Sequence, residues 1–310
     1  FTLSYCQLAY NEEAMHQLLQ HFKHALITLT EHCLQTPLAN RFSPSDFTLV
    51  QKSLLTLQQS ELTQHTLDEI FLRYPDLEDL WPLTPLQQGM AFESRTLADD
   101  QHDPYHVSQA IRFSSVLPPK QIEQRLSQAW SKLIRRHPSL RICLVPDDLC
   151  PGTALVRNYQ DYTLLTPVLE GNALERYQNL KTLDLNNPFD LIHGPLIRLY
   201  FALLDAGEYV IYISNHHLLI DGWSTPIVLN ELLKLFELEE PNHADDIQHT
   251  HQQNSLTPVF EWPRHLAWLQ QQDREQARCY WTQHLIAVAE LDSLSLPNSS
   301  QTKTQGQAEA

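Results

Sequence analysis

Apolar residues alternate or recur at helical spacing in short blocks that predict strands and amphipathic helices along most of the chain. At the head, Phe1, Leu3 and Tyr5 alternate as one face of a half-buried strand does, and Asn11 then stands as a cap before Glu12 and Glu13. Met15, Leu18, Leu19, Phe22, Leu26 and Leu29 follow at helical spacing and predict a helix to about Leu34, with His16, Gln20 and Lys23 on the wet face. One strand and one helix cannot bury a core alone, so residues 1–34 read as the end of an upstream domain. From 35 to about 80 the chain turns polar. Pro37, Pro44 and the turn-prone Ser43-Pro44-Ser45-Asp46 precede short Leu-rich stretches, and residues 35–74 read as an interdomain linker.

A fresh start signal stands at Thr84-Pro85-Leu86-Gln87, where Thr at the cap, Pro at the first helical position and Gln three residues on predict a capping box and a helix to about Ser94. Tyr105, Val107, Gln109, Ile111 and Phe113 then predict a strand. Ile122, Leu126, Ala129, Trp130, Leu133 and Ile134 predict a helix ending near His137, followed by a strand over 140–145. Residues 196–204 and 209–214 form a predicted strand pair turning at Asp205-Ala206-Gly207, and a helix is expected from Thr225 to about Leu238. Alternating helices and strands imply an α/β mixed-sheet sandwich, whose strand order the pattern does not give.

Composition narrows the function classes. With 310 residues, 42% hydrophobic and 19% charged, the chain belongs among ordinary globular sequences. Its apolar runs fall far short of the roughly 20 residues a spanning helix requires, and no signal peptide is visible, so no membrane role is expected. Phe1 in place of an initiator Met, with strand-like residues at once, suggests a piece of something longer. A net charge of -16 without a basic block argues against nucleic acid as a partner. Cys6, Cys33, Cys143, Cys150 and Cys279 are odd in number and lack CxxC spacing, which disfavours a disulfide framework or a zinc knuckle and points to a reducing cytoplasm. His243, Asp245, Asp246, His249 and His251 crowd into 239–255, but no helical register fixes them, and the stretch reads as a polar loop rather than a metal site.

The chemistry concentrates in His216-His217-Leu218-Leu219-Ile220-Asp221-Gly222, between a predicted strand and a predicted helix. Such loops hold reactive groups on a rigid frame. Imidazole suits proton transfer near neutrality, since one ring nitrogen accepts a proton while the other is held by a partner. A carboxylate at Asp221 buried beside such a site requires a cation, and an arginine would lock the loop. Gly222 permits a turn or a close approach of substrate. The bland alternative, two hydrogen-bonded core-edge histidines and an ordinary turn capped by Ser224, is weakened by further matches along the chain.

Those matches resemble the condensation-domain superfamily of nonribosomal peptide synthetases, related in fold to chloramphenicol acetyltransferase, over about residues 75–297. Trp81-Pro82-Leu83-Thr84-Pro85-Leu86-Gln87-Gln88-Gly89-Met90 resembles the first family motif, with Trp81 where Tyr is usual and Glu93 where His often stands. Arg136-His137-Pro138-Ser139-Leu140-Arg141 is similar to the second, and the His-His-Asp-Gly run is the third. Pro188-Phe189-Asp190-Leu191 adds to the likeness, and Phe260 to Leu269, then Tyr280-Trp281 and Leu285, resembles the fourth motif more loosely. The head, with Glu31-His32-Cys33 and Phe42-Ser43-Pro44-Ser45-Asp46-Phe47, resembles the end of an epimerization domain and the linker that follows one. Ile220-Asp221-Gly222-Trp223-Ser224-Thr225-Pro226 is similar to condensation domains that accept a D-configured donor.

The resemblance implies one lobe of a two-lobed domain that forms a peptide bond between carrier-bound thioesters, with 298–310 as a polar tail and the segment inactive by itself. It implies His217 as the catalytic second histidine beside His216, Asp221 as a loop-ordering carboxylate with Arg136 or Arg141 as partner, and the Gly222 amide near the reacting carbonyl. No metal or cofactor is implied, because substrates arrive on the phosphopantetheine of upstream and downstream carrier domains, beside epimerization and adenylation neighbours. The competing readings are a free-standing coenzyme A-dependent acyltransferase and a non-catalytic relic of a synthetase gene.

Overall fold

The computed structural model describes residues 2–6, 8–35, 42–56, 61–98, 101–158, 162–238 and 256–289. The chain divides into two units, Phe1–Leu266 and Ala267–Ala310. In the first lie α1 (Glu12–Gln35), α2 (Thr48–Thr56), α3 (Gln64–Arg73), β1 (Leu77–Pro82), α4 (Pro85–Thr96), β2 (His106–Ser114), α5 (Pro119–Arg136), β3 (Ile142–Leu144), β4 (Thr153–Arg157), α6 (Ala173–Leu185), β5 (Ile197–Asp205), β6 (Glu208–His216) and α7 (Ser224–Leu238). Helix α8 (Trp262–Gln270) runs across the division, and α9 (Arg274–Ala289) lies in the second unit.

Two antiparallel three-stranded sheets organise the first unit, in the orders β1-β4-β3 and β2-β6-β5. Leu165 bridges Tyr200 of β5 in parallel, the one parallel pairing among the described residues, which makes the second sheet mixed. Helices cover both faces of the second sheet. On one, Trp130 and Leu133 of α5 and Val228 and Leu232 of α7 meet Leu199, Phe201, Ile211 and Ile213. On the other, Leu180 of α6 meets Tyr200, Leu204, Val210 and Tyr212. Residues 209–213 are therefore apolar throughout instead of alternating, because neither face of the central strand meets water.

Local signals placed several elements correctly. Asn11 Oδ1 accepts the Glu13 amide at 2.9 Å at the start of α1, and Thr84 closes the α4 capping box with Gln87. One expectation fails. Residues 2–6 form no strand: alternation supplies a face but not a partner edge, and none pairs with them among the described residues. Residues 42–74, within the stretch read as an interdomain linker, carry two packed helices. Phe47, Val50, Leu54, Leu67, Ile70 and Phe71 pack with Leu80, Cys143 and Leu155, so α2 and α3 build core against the first sheet. Their Leu-rich spacing was the signal, and the polar residues between them are the wet faces of short helices.

Candidate functional site: the loop after β6

Strand β6 ends at His216, paired in register with His106 of β2, and its amide bonds the Leu196 carbonyl at 2.9 Å. His216 is fully buried. Its Nδ1 accepts the Leu218 amide at 3.1 Å, while Nε2 lies 3.0 Å from Ser94 Oγ and 3.3 Å from Asp103 Oδ2. Burial holds the ring below the ordinary histidine range, and the Asp103 carboxylate pulls the other way. With both ring nitrogens engaged inside the fold, His216 has no free atom for a substrate.

His217 differs. It is half-buried, its amide donates to the Tyr105 carbonyl at 2.8 Å, and its Nδ1 is buried without a hydrogen-bond partner among the described residues. The Tyr105 hydroxyl in turn donates to Glu93, which pushes the phenol pKa up. Leu218 is held at its carbonyl by Gln87 Nε2 at 3.0 Å, so the first motif grips the third across the fold.

Asp221 and the two arginines do not meet. Asp221 Oδ1 accepts the Ser224 amide at 2.8 Å, the Ser224 hydroxyl at 2.7 Å and the Trp223 amide at 3.1 Å, which makes it the cap of α7. The Ser224 bonds hold its carboxyl below the usual range. Arg136 instead bonds Glu231 at 2.9 Å, two turns into α7, and Arg141 grips Glu78 of β1. The expectation of a buried Asp221 needing a cation fails because Asp221 is exposed and the amides of a helix start already satisfy it. Nor does the loop itself demand glycine at 222. Gly222 has no left-handed φ, and a Cβ placed on it would meet no atom within 4 Å, so the space beside it is open.

A cavity of about 400 Å³ adjoins the loop, lined by Leu219, Ile220, Ser224, Val228, Glu231 and Trp262 among others. Glu231 at its wall also bonds His137 at 2.6 Å. Burial alone would raise the Glu231 pKa, but His137 and Arg136 bring it below the ordinary value. Among the described residues no cluster of three or more metal-ligating side chains occurs, and the histidines of 239–255 lie outside them. Sequence reasoning missed Ser94, Asp103 and a fully buried carboxylate beneath the second sheet. That carboxylate, Asp184, accepts from His106 (2.7 Å), Ser214 (2.7 Å), Tyr200 (3.0 Å) and Arg198 (3.2 Å). An acidic residue inside a helix gives no sign of such burial until the sheet beneath it is known.

A family model described as "Condensation domain" matches residues 77–310. The chain belongs to the condensation-domain family. This condensation-domain chain is 30% identical over 313 residues to a linear gramicidin synthase of Brevibacillus parabrevis, covering 99% of itself and 6% of that protein. It is 25% identical over 304 residues to bacitracin synthase 3 of Bacillus licheniformis, covering 94% of itself and 4% of that protein. The chain thus spans only a small part of the length of these relatives. Among solved structures, the starter condensation domain of rhizomide synthetase RzmA shares the fold with TM-score 0.53 at 17% identity, over 69% of this chain and 49% of that one. The α/β architecture is that of the chloramphenicol acetyltransferase-like condensation domains.

Proposed function

We propose that the chain carries the histidine loop of a peptide-bond-forming domain in a nonribosomal peptide synthetase, acting on two carrier-bound thioesters. The observation that carries the reading is His217, half-buried, with an Nδ1 that has no hydrogen-bond partner among the described residues and an amide anchored to Tyr105, on a motif loop inside the family match. The acceptor amine attacks the donor thioester carbonyl, a C–N bond forms, and the C–S bond breaks to release the donor carrier's thiol. His217 positions the amine or takes the proton it sheds, which ends on the departing sulfur. Holding both tethered substrates together supplies much of the acceleration. The Gly222 amide, beside open space, is the candidate contact for the carbonyl oxygen.

The donor is D-configured in this reading, on the strength of the run Trp223-Ser224-Thr225-Pro226 after the loop and the epimerization-like head. A chiral site accepts only one arrangement of side chain and amine about Cα with the carbonyl in place, so a mismatch lowers the rate more than carrier binding. The alignment with the solved starter domain covers 49% of it, and we infer that the 310 residues alone give no peptide.

The test uses the synthetase that carries this chain, its carriers loaded chemically with D- or L-aminoacyl phosphopantetheine. His217→Ala should abolish most dipeptide formation while carrier loading stays normal, and the D-donor should react faster. Unchanged condensation in the variant would refute the role of His217, and an L preference would refute the donor assignment alone.

A further inference from the structure

Asp103 stands outside every motif, in the loop before β2, yet it reaches His216 directly and His217 through Tyr105. Its Oδ1 accepts the Tyr105 amide at 2.8 Å and its carbonyl accepts the His106 amide at 3.0 Å, a local turn that fixes where the carboxylate points. Oδ2 then lies 3.3 Å from His216 Nε2, which is itself 3.0 Å from Ser94 Oγ. The carbonyl of Tyr105, whose amide Asp103 holds, accepts the His217 amide at 2.8 Å. One side chain therefore contacts the ring of the first histidine and, through a single residue, orders the backbone of the second.

Donor chemistry fixes the tautomer of His216. A backbone N–H only donates, so the Leu218 amide at 3.1 Å requires a lone pair on Nδ1, and the proton of the neutral ring sits on Nε2. That Nε2–H meets the Ser94 hydroxyl oxygen and the Asp103 carboxylate. The other tautomer would set the Leu218 N–H against Nδ1–H and leave the Nε2 lone pair facing a carboxylate. A doubly protonated ring would likewise lose the Leu218 amide, and the burial of His216 opposes that charge. Leu218 is thus tied at its amide by His216 and at its carbonyl by Gln87, and His217 projects from the residue between these ties and Tyr105.

We propose that Asp103, assisted by Ser94, is a positioning residue for the condensation reaction: it locks His216 as the Nε2–H tautomer, so that Nδ1 pins the Leu218 amide and sets the backbone that presents His217. The proposal rests on the functional reading above only for its effect on rate. The lock itself is a property of the chain, and the two are measured separately.

Long-range ¹H–¹⁵N correlation spectra of the ¹⁵N-histidine-labelled 310-residue chain at neutral pH should show His216 protonated at Nε2 alone. Asp103→Ala should populate the second tautomer and speed hydrogen exchange of the Leu218 amide, whereas Asp103→Asn, whose side-chain oxygen still accepts, should retain the wild-type tautomer. In the full synthetase Asp103→Ala should lower the rate at saturating carriers by about tenfold or more, with the KM for carriers little changed, and Asp103→Asn should recover most of it. Ser94→Ala, which leaves the carboxylate in place, should be milder than Asp103→Ala. A His216 protonated at Nδ1 in the wild type, or an Asp103→Ala variant with unaltered tautomer and Leu218 exchange, would overturn the lock. If instead His217→Ala keeps full activity, the functional reading falls and the spectra still decide the role of Asp103.

Discussion

Gln87 and Leu218 are joined across the fold: Gln87 Nε2 donates to the Leu218 carbonyl at 3.0 Å while its Oε1 takes the Thr84 amide at 2.9 Å. One side-chain amide closes the cap of α4 and holds the loop that carries His217. Gln87→Ala should lose both bonds and cost about 1–2 kcal/mol in urea unfolding. Gln87→Glu separates the roles. It keeps the acceptor for Thr84 but sets an oxygen against the Leu218 carbonyl, so stability should fall less than in Gln87→Ala while the Leu218 region loosens, read as faster amide exchange around 217–219.

The α7 cap gives a pH test. Asp221→Ala should cost about 1 kcal/mol at pH 7, and Asp221→Asn less, because Asn also accepts at an N-cap. The Ser224 hydroxyl and amide hold the Asp221 carboxyl below its ordinary value in the fold. A lowered folded pKa stabilises the native state fully above the unfolded pKa of about 3.9, and that contribution disappears as pH falls through the folded value. Unfolding curves for wild type and Asp221→Ala should therefore stay a constant distance apart from neutral pH down to about 5 and converge in stronger acid.

Asp184 is the buried group whose loss should be felt most. Burial by itself would raise its pKa, yet hydrogen bonds from His106, Ser214 and Tyr200 bring it below the ordinary value. Asp184→Ala would leave those donors and Arg198 facing a void, and a loss of about 3–5 kcal/mol is expected by chemical denaturation. Asp184→Asn should fall between the two, since it keeps the shape but turns acceptor positions into donors that oppose the existing ones.

The arginine assignment can be settled by double-mutant cycles. Arg136 and Glu231 share a 2.9 Å ion pair, so their variants should couple by about 0.5–3 kcal/mol. Arg136 and Asp221 share no contact here, and their variants should add without coupling.

Sequence alone determined what short spacing encodes. The Thr84–Gln87 cap, the apolar face of α5, the β5–β6 pair turning at Gly207 and the motif loop at the end of β6 are all set within a few residues of one another, because side chains three or four apart share a helix face and a left-handed residue closes a turn. The tertiary structure alone decided which edges find partners and which charges meet. Residues 2–6 carry a strand's alternation without a strand's partner, while α2 and α3 proved to be core because β1 and β4 cover their apolar faces. Arg136 was drawn to Glu231 rather than Asp221, since the packing of α5 on α7 sets it beside the second turn of α7 and the amides at the start of that helix already satisfy Asp221. Asp103 and His216 lie 113 positions apart. No periodicity links them; only the pairing of β2 with β6 brings the loop before one strand to the residue that ends the other.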